Sequence, residues 1–280
     1  MKTVTTTKAL QSEIYNLKEQ GLSIGFVPTM GALHKGHLEL MKTARTHNDI
    51  VVVSIFVNPT QFNSPNDLRN YPRTLEEDKM KCESIGVDIV FVPSVEEVYP
   101  TPDNRVFDFG NLDKVMEGEH RPGHFNGVAQ VVSKLFSLVK PTRAYFGQKD
   151  FQQLAVIRAL VHDFNIDVDI VACPTVREDD GLAMSSRNEL LSAKQRASVP
   201  LISKTLFAAR NLKSQKSVNE TIDWVTKEIN ADSELEVEYF EVSNAKTLQP
   251  IINWSDADEV VGCIAVQVGN VRLIDNVVFK

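Results

Sequence analysis

Cysteine is scarce and scattered: the 280-residue chain holds three, Cys82, Cys173 and Cys263. An odd number, far apart, in apolar or helical surroundings and with no CxxC, excludes a disulfide framework or a zinc ribbon and reads as reduced, buried small residues rather than nucleophiles. A basic surplus is missing too. Lys and Arg number 30 against 37 Asp and Glu, a net charge of −7, and the cations are not gathered into blocks. That excludes a nucleic-acid binder relying on phosphate neutralisation, although small polyanions can still bind locally. No run of about 18 apolar residues occurs. MKTVTTTKAL has no long apolar stretch after its lysine, so the expectation is a cytoplasmic protein without membrane association. Internal repeats and low-complexity runs are absent, as are the phosphate-loop patterns GxxxxGK[ST] and GxGxxG. The composition is that of an ordinary globular protein long enough for two domains.

What is there is concentrated first in GFVPTMGALHKGHLEL, Gly25 to Leu40. Ile24 to Val27 read as a short buried strand, Pro28 to Gly36 as a glycine-containing turn, and His37 onward as a helix. A strand that ends at such a turn and feeds a helix presents unpaired backbone N–H groups and a positive dipole end, the natural seat of a phosphate. His34 and His37 frame Gly36 in the pattern HxGH; the imidazoles can donate to phosphate oxygens, and Gly36 lets a ligand approach the backbone. A zinc pair is the weaker alternative, since no third ligand lies in reach by sequence. HxGH resembles the signature of the nucleotidyltransferase superfamily, whose members act at the α-phosphate of ATP.

Around this motif the chain alternates strands and helices. Leu10, Ile14 and Leu17 make a helical stripe ending near Gly21. Ile50 to Val57 is an apolar, β-branched run suited to a strand buried on both faces. Asn58 to Thr74 reads as an irregular segment with Asn58, Gln61, Tyr71 and Arg73 as polar candidates, placed after a strand C-terminus where open parallel sheets bind ligands. Thr74 and Glu77 predict a capping box for a helix ending at Gly86. Asp88 to Pro93 is a further strand, Val95 to Val98 a short helix, and Arg105 to Phe109 an edge strand. Helical apolar spacing returns over Val128 to Val139, preceded by Arg121 and His124. Arg121 suits a carboxylate or phosphate, or equally an ion pair with Glu117 or Glu119. Arg143 to Phe146 is a strand followed by Gly147, Gln148, Lys149, Asp150 and a helix from Phe151 to Asp163, repeating the first motif. Lys149 and Asp150 suit a phosphate and a ribose hydroxyl, or else a solvated lysine beside a helix cap. Val168 to Cys173 is the fifth strand of the series.

Beyond about Asp180 the pattern changes. Ser192 with Gln195 predicts a long helix to Leu212, Ser217 with Glu220 another to Ala231, and LEVEYFEV, VVGCIAVQV and VRLIDNVV three strands, the last two joined by Gly269–Asn270 as a hairpin. The fold class expected is α/β: a Rossmann-like parallel sheet over residues 1–180 followed by a smaller α+β domain over 181–280.

PTMGALHKGH, FVNPTQF, YPRT, RPGHFNGV, YFGQKDFQQ and PTVREDDGLAMSSRN, in order from Pro28 to Asn188, closely resemble the motif set of the pantothenate synthetase (pantoate–β-alanine ligase) family. The resemblance implies ATP-dependent condensation of pantoate with β-alanine through a pantoyl-adenylate. Magnesium would accompany ATP, the protein would be a homodimer, and residues 181–280 would act as a lid. It implies an ATP site of Met30, Gly31, Ala32, Leu33, His34, Lys35, Gly36 and His37. Gly147, Gln148, Lys149 and Asp150, the Val176 backbone and a closing segment of Met184, Ser185, Ser186 and Arg187 would complete it. His37, His34, Lys149 and Arg187 would be catalytic, with His37 as proton donor. Gln61 would meet pantoate and lie near β-alanine, and Gln153 would meet pantoate. Asn58, Asp78 and Arg121 would support the site.

Overall fold

The computed structural model describes residues 1–279. Contacts divide the chain into two compact units, one of residues 1–109, 121–148 and 153–174, the other of residues 110–120, 149–152 and 175–280.

The first unit is built on a six-stranded parallel sheet. Its strands are β1 (Lys2–Val4), β2 (Ile24–Thr29), β3 (Ile50–Ile55), β4 (Ile89–Phe91), β5 (Arg143–Gly147) and β6 (Asp169–Cys173). Their order is β1-β4-β3-β2-β5-β6, and every neighbouring pair is parallel. Helices α1 (Thr7–Glu19), α2 (Lys35–His47), α3 (Pro65–Asn70), α4 (Leu75–Ile85), α5 (Val95–Val98), α6 (Glu117–His120), α7 (His124–Val139) and α8 (Phe151–Asp163) intervene along the chain; α6 belongs to the second unit. The β-branched run of β3 is buried along nearly its whole length, as a strand covered on both faces must be. Val27, Leu33, Met41, Ala44, Val51, Val53, Cys82 and Val90 form one continuous core beneath α2 and α4. All three cysteines are free and buried. Burial, with a smaller push from Asp78, raises the Cys82 thiol to about 12, so it carries no thiolate near neutral pH.

Three expectations for this unit need correction. A sixth strand, β1, pairs with β4 from Lys2↔Ile89 to Val4↔Phe91; three residues are too short to carry a period. No strand forms over Arg105 to Phe109. Its backbone groups are taken by side chains of α7: Asn126 Oδ1 accepts from Phe107 N–H at 2.9 Å, and Gln130 Nε2 donates to the carbonyls of Asp103 and Arg105 at 2.8 and 2.9 Å. The segment Asn58–Thr74 is less irregular than its composition suggests. It holds a 3-10 turn over Pro59–Gln61 and α3, which Ser64 caps and Pro65 opens.

In the second unit β7 (Glu236–Asn244), β8 (Val260–Val268) and β9 (Val271–Phe279) form an antiparallel sheet in that order. Val268 and Val271 pair across Gly269–Asn270, and Gly269 has φ 60°, the two-residue hairpin expected. Ser192 with Gln195 and Ser217 with Glu220 each form a reciprocal capping box. The long helix expected after Ser192 is broken into α9 (Ala193–Ser198), α10 (Pro200–Ala209) and a 3-10 turn. Pro200 has no N–H to continue the ladder and instead opens the next helix. With α11 (Val218–Asn230), α10 packs Ile202, Leu206, Val225 and Ile229 against Phe240, Ile264, Val266 and Phe279. Among the described residues no helix is long and apolar enough to cross a membrane.

Gly262 is closely packed in this small core, because a Cβ there would lie 2.8 Å from the Phe240 ring and 2.9 Å from that of Phe279. Gly262→Ala is expected to cost about 1–3 kcal/mol by overpacking, read as a lower urea midpoint with an unchanged slope; an unchanged midpoint contradicts this account of the packing.

Candidate active site

The turn after β2 is fixed by groups lying far away in sequence. Thr29 Oγ1 donates to the Ser54 carbonyl at 2.7 Å and accepts from Gly31 N–H at 3.2 Å. Gly31 has φ 83°, and a Cβ on it would sit 3.1 Å from both Asp78 and Ile55, so glycine is required on two counts. Asp78, 1% exposed, accepts from Ala32 N–H at 2.9 Å and from Leu33 N–H at 2.7 Å. Lys81 Nζ donates to the Leu33 carbonyl at 2.7 Å. The expected Thr74–Glu77 capping box does not form, because the Thr74 hydroxyl donates to Asp78 Oδ1 at 3.2 Å instead. Helix α4 thus gives up a local cap and supplies a carboxylate that holds the turn.

Helix α2 begins at Lys35, two residues before the predicted start, and His34 is its N-cap. Nδ1 of His34 accepts from Gly36 N–H at 3.1 Å, and Nδ1 of His37 accepts from His34 N–H at 3.3 Å. The two rings therefore take the reciprocal roles that Ser and Glu usually share in a capping box. Their centroids are 4.0 Å apart. A neutral imidazole that accepts at Nδ1 carries its proton at Nε2, so both rings present an N–H donor on the edge away from the backbone. The helix dipole adds positive potential at the same end.

Strand β5 lies directly beside β2, in register Gly25↔Arg143 and Phe26↔Ala144. The chain runs from β2 to β3 and β4 on one side, then crosses to β5 and β6 on the other, so β2 and β5 flank the point where the order reverses. Crevices at such a point, outside the carboxyl ends of the strands, are where open parallel sheets bind ligands. Gly147 ends β5 at that edge, and a methyl added there would meet nothing within 4 Å. Gln148 N–H donates to the Cys173 carbonyl at 2.8 Å. HxGH and Gly147–Gln148 are thereby brought to the same edge of one sheet. Gln61, 9% exposed, follows β3 on the neighbouring strand, and its Nε2 approaches Met30 Sδ at 3.3 Å. Its backbone carbonyl is held by His124 Nδ1 at 2.8 Å and Arg121 at 3.4 Å, and Arg121 Nη1 lies 3.2 Å from His124 Nε2, so Arg121 is engaged with the turn and with His124. Gln153 lies half-buried in the first turn of α8.

The remaining candidates belong to the second unit. Lys149 Nζ lies 3.9 Å from Asp150, and Asn276 Nδ2 donates to the Lys149 carbonyl at 2.9 Å. Arg177 is held bidentately by Asp275 at 2.6 and 2.8 Å and donates to the Gly181 carbonyl. The Val176 carbonyl accepts from Met184 N–H at 3.0 Å. Met184 and Ser186 are buried, and the Ser185 hydroxyl accepts from Arg187 N–H at 3.3 Å as the N-cap of a 3-10 turn. Neither Asn276 nor Asp275 was singled out by sequence. Both lie in a strand whose alternation signals burial and nothing more.

The sequence model of the family described as pantoate-beta-alanine ligase matches residues 2–278. A pantothenate synthetase of Bacteroides fragilis (strain YCH46) is 55% identical over 280 residues, covering 100% of this chain and 99% of that protein. One from Phocaeicola vulgatus is 56% identical over 281 residues, covering 100% of both. Among solved structures, a pantothenate synthetase from Thermus thermophilus has a TM-score of 0.91 at 44% identity, with 99% of each chain covered. A pantoate-beta-alanine ligase from Francisella tularensis, complexed with beta-gamma ATP and beta-alanine, has a TM-score of 0.84 at 37% identity, covering 99% of this chain and 97% of that one.

Asp78→Ala leaves two buried backbone donors unpaired, at about 1–3 kcal/mol each, while Asp78→Asn keeps an acceptor for one of them. Urea unfolding is expected to rank wild type, Asn and Ala in falling order of stability; equal midpoints would remove Asp78 as the anchor of the turn.

Proposed function

Because the chain belongs to the pantoate-beta-alanine ligase family, we propose that it condenses pantoate with β-alanine, driven by cleavage of ATP to AMP and pyrophosphate. The observation that carries this reading is the adjacency of β2 and β5, with two imidazoles that accept through Nδ1 beyond one strand end and a glycine with space for a Cβ at the other.

A carboxylate acylates poorly because its leaving group would be oxide. In the proposed first step a pantoate carboxylate oxygen attacks the α-phosphorus in line, the bond to pyrophosphate breaks, and pantoyl-adenylate forms. In the second, the neutral amine of β-alanine attacks the acyl carbon, AMP leaves with the bonding electron pair, and the amine gives up one proton. No covalent nucleophile on the protein is needed. Its work is to hold two anions together and to stabilise charge as it builds on phosphate oxygens.

The Nε2–H groups of His34 and His37 suit that charge, with His37 as proton donor. Lys149 is assigned to bridge phosphate and pantoate carboxylate, and Arg187 with Ser185 and Ser186 to close on the triphosphate. Asp150 is assigned to the ribose, the Val176 backbone to adenine, and Gln61 and Gln153 to pantoate, with Gln61 also bordering β-alanine. Magnesium supplies charge neutralisation when bound with ATP. Among the described residues no group of three or more His, Cys, Asp or Glu is disposed to hold a metal. The reading carries with it a cytoplasmic homodimer.

Exchange of labelled pyrophosphate into ATP is expected to require pantoate but not β-alanine, and net AMP release to require both. His37→Ala and Lys149→Ala are expected to lose about 100-fold or more in rate with folding intact, the scale of removing one preorganised donor. Exchange without any acid, or near-normal turnover in both variants, contradicts the proposal.

A further inference from the structure

A cluster of polar side chains after β3 fixes which end of an amide faces outward. Asn58, 1% exposed, precedes the 3-10 turn Pro59–Gln61. Its Nδ2 donates to the Gly127 carbonyl at 3.2 Å and to Gln61 Oε1 at 3.0 Å. Its Oδ1 accepts from the hydroxyls of Tyr99 at 2.9 Å and Thr60 at 3.1 Å. The two ends of an amide are alike in shape, so the sense must come from a partner that acts in one way only. A backbone carbonyl is such a partner, whereas a hydroxyl adapts. Gly127 is also the residue that permits this approach, because a Cβ there would overlap the Thr60 carbonyl.

The sense then propagates. With Nδ2 drawn to Gly127, Asn58 occupies the oxygen of Gln61, and Gln61 turns its Nε2 toward Met30 Sδ, a weak acceptor. A carboxylate or hydroxyl oxygen would take those N–H groups better than a thioether does. Tyr99 is well placed to hold the arrangement: its ring lies against Phe56 at 6.3 Å and under the Lys134 ammonium at 5.2 Å, and Lys134 is 3.4 Å from Asp103. Burial pushes its hydroxyl above the usual tyrosine range, so it stays protonated.

We propose that Tyr99, together with Thr60, is a positioning residue for the acid subsite: the Gly127 carbonyl sets the sense of the Asn58 amide, and the two hydroxyls, donating to its Oδ1, hold it against that carbonyl so that Gln61 offers its N–H donors, rather than its oxygen, to the incoming acid. The inference rests on the assignment of Gln61 to pantoate. In Tyr99→Phe/Thr60→Val, Asn58 Oδ1 loses both donors, the amide keeps its sense from the Gly127 carbonyl but is held there less firmly, and its grip on Gln61 Oε1 loosens. The KM for pantoate is expected to rise about tenfold, the order of one lost bond to a charged group, with the KM for ATP and kcat at saturating pantoate changed by less than about twofold. Tyr99→Phe alone, which keeps the Thr60 bond, is expected to shift pantoate KM in the same direction by a smaller factor and serves if the double variant does not fold. Unchanged pantoate KM in a folded variant overturns the inference, as does a parallel rise in ATP KM, which a merely structural role would produce. Gln61→Ala separates the two levels. If it leaves pantoate KM unchanged, the assignment of Gln61 fails; if it raises that KM while the hydroxyl variants do not, only the positioning role of Tyr99 fails.

Discussion

A helix that starts at the end of a buried strand leaves backbone N–H groups in need of acceptors, and here the acceptors are imidazole nitrogens. His34 and His37 bond Gly36 N–H and His34 N–H through Nδ1. A serine and a glutamate would cap the helix as well. They would offer no second ring N–H, and the glutamate would bring negative charge to the proposed seat of an anion. Imidazole can accept with one nitrogen and donate with the other. In the proposed reading the same two rings meet the capping requirement and the phosphate-binding requirement, and the capping bonds set their tautomer within the fold itself.

The rest of the first unit supports that arrangement. Asp78 holds the turn from α4, Thr29 ties it to β3 through Ser54, and Gly31 supplies the one conformation that fits between Asp78 and Ile55. The sheet brings the end of β5 alongside. Chemistry at the α-phosphorus of ATP calls for donors placed where charge accumulates rather than for an activated nucleophile. The buried cysteines agree with that division of labour: burial raises the Cys82, Cys173 and Cys263 thiols, leaving them as packing groups.

Much of this was legible in the sequence where the signal is local. The apolar run of β3, the serine-led capping boxes of α9 and α11 and the Gly269–Asn270 hairpin each state their structure within a few neighbouring residues. Local spacing misleads where a distant group prevails over a near one. Thr74 has the spacing of a cap but bonds a carboxylate one turn on, because Asp78 must satisfy Ala32 and Leu33. Residues 105–109 have strand-like composition, yet Asn126 and Gln130 take their backbone groups first. Pro200 is the opposite case: the break between α9 and α10 was written locally, and apolar periodicity on either side concealed it. For the proposed site, HxGH names the two histidines but not the capping bonds that orient them. Tyr99 and Asn276 carry no motif of their own and bond partners far off in the chain, Asn58 and the Lys149 carbonyl, while Thr60 bonds Asn58 two residues away.

The tautomeric state of two rings is the central claim, and nitrogen chemical shifts report it directly. In protein labelled with ¹⁵N at histidine, long-range proton–nitrogen correlation near neutral pH should place His34 and His37 in the Nε2–H form, with unprotonated Nδ1, in the absence of any ligand. Binding of an ATP analogue should move the Nε2 resonances of both rings and leave each Nδ1 an acceptor. Protonation at Nδ1 in either free ring, or Nε2 resonances indifferent to nucleotide, would contradict the account.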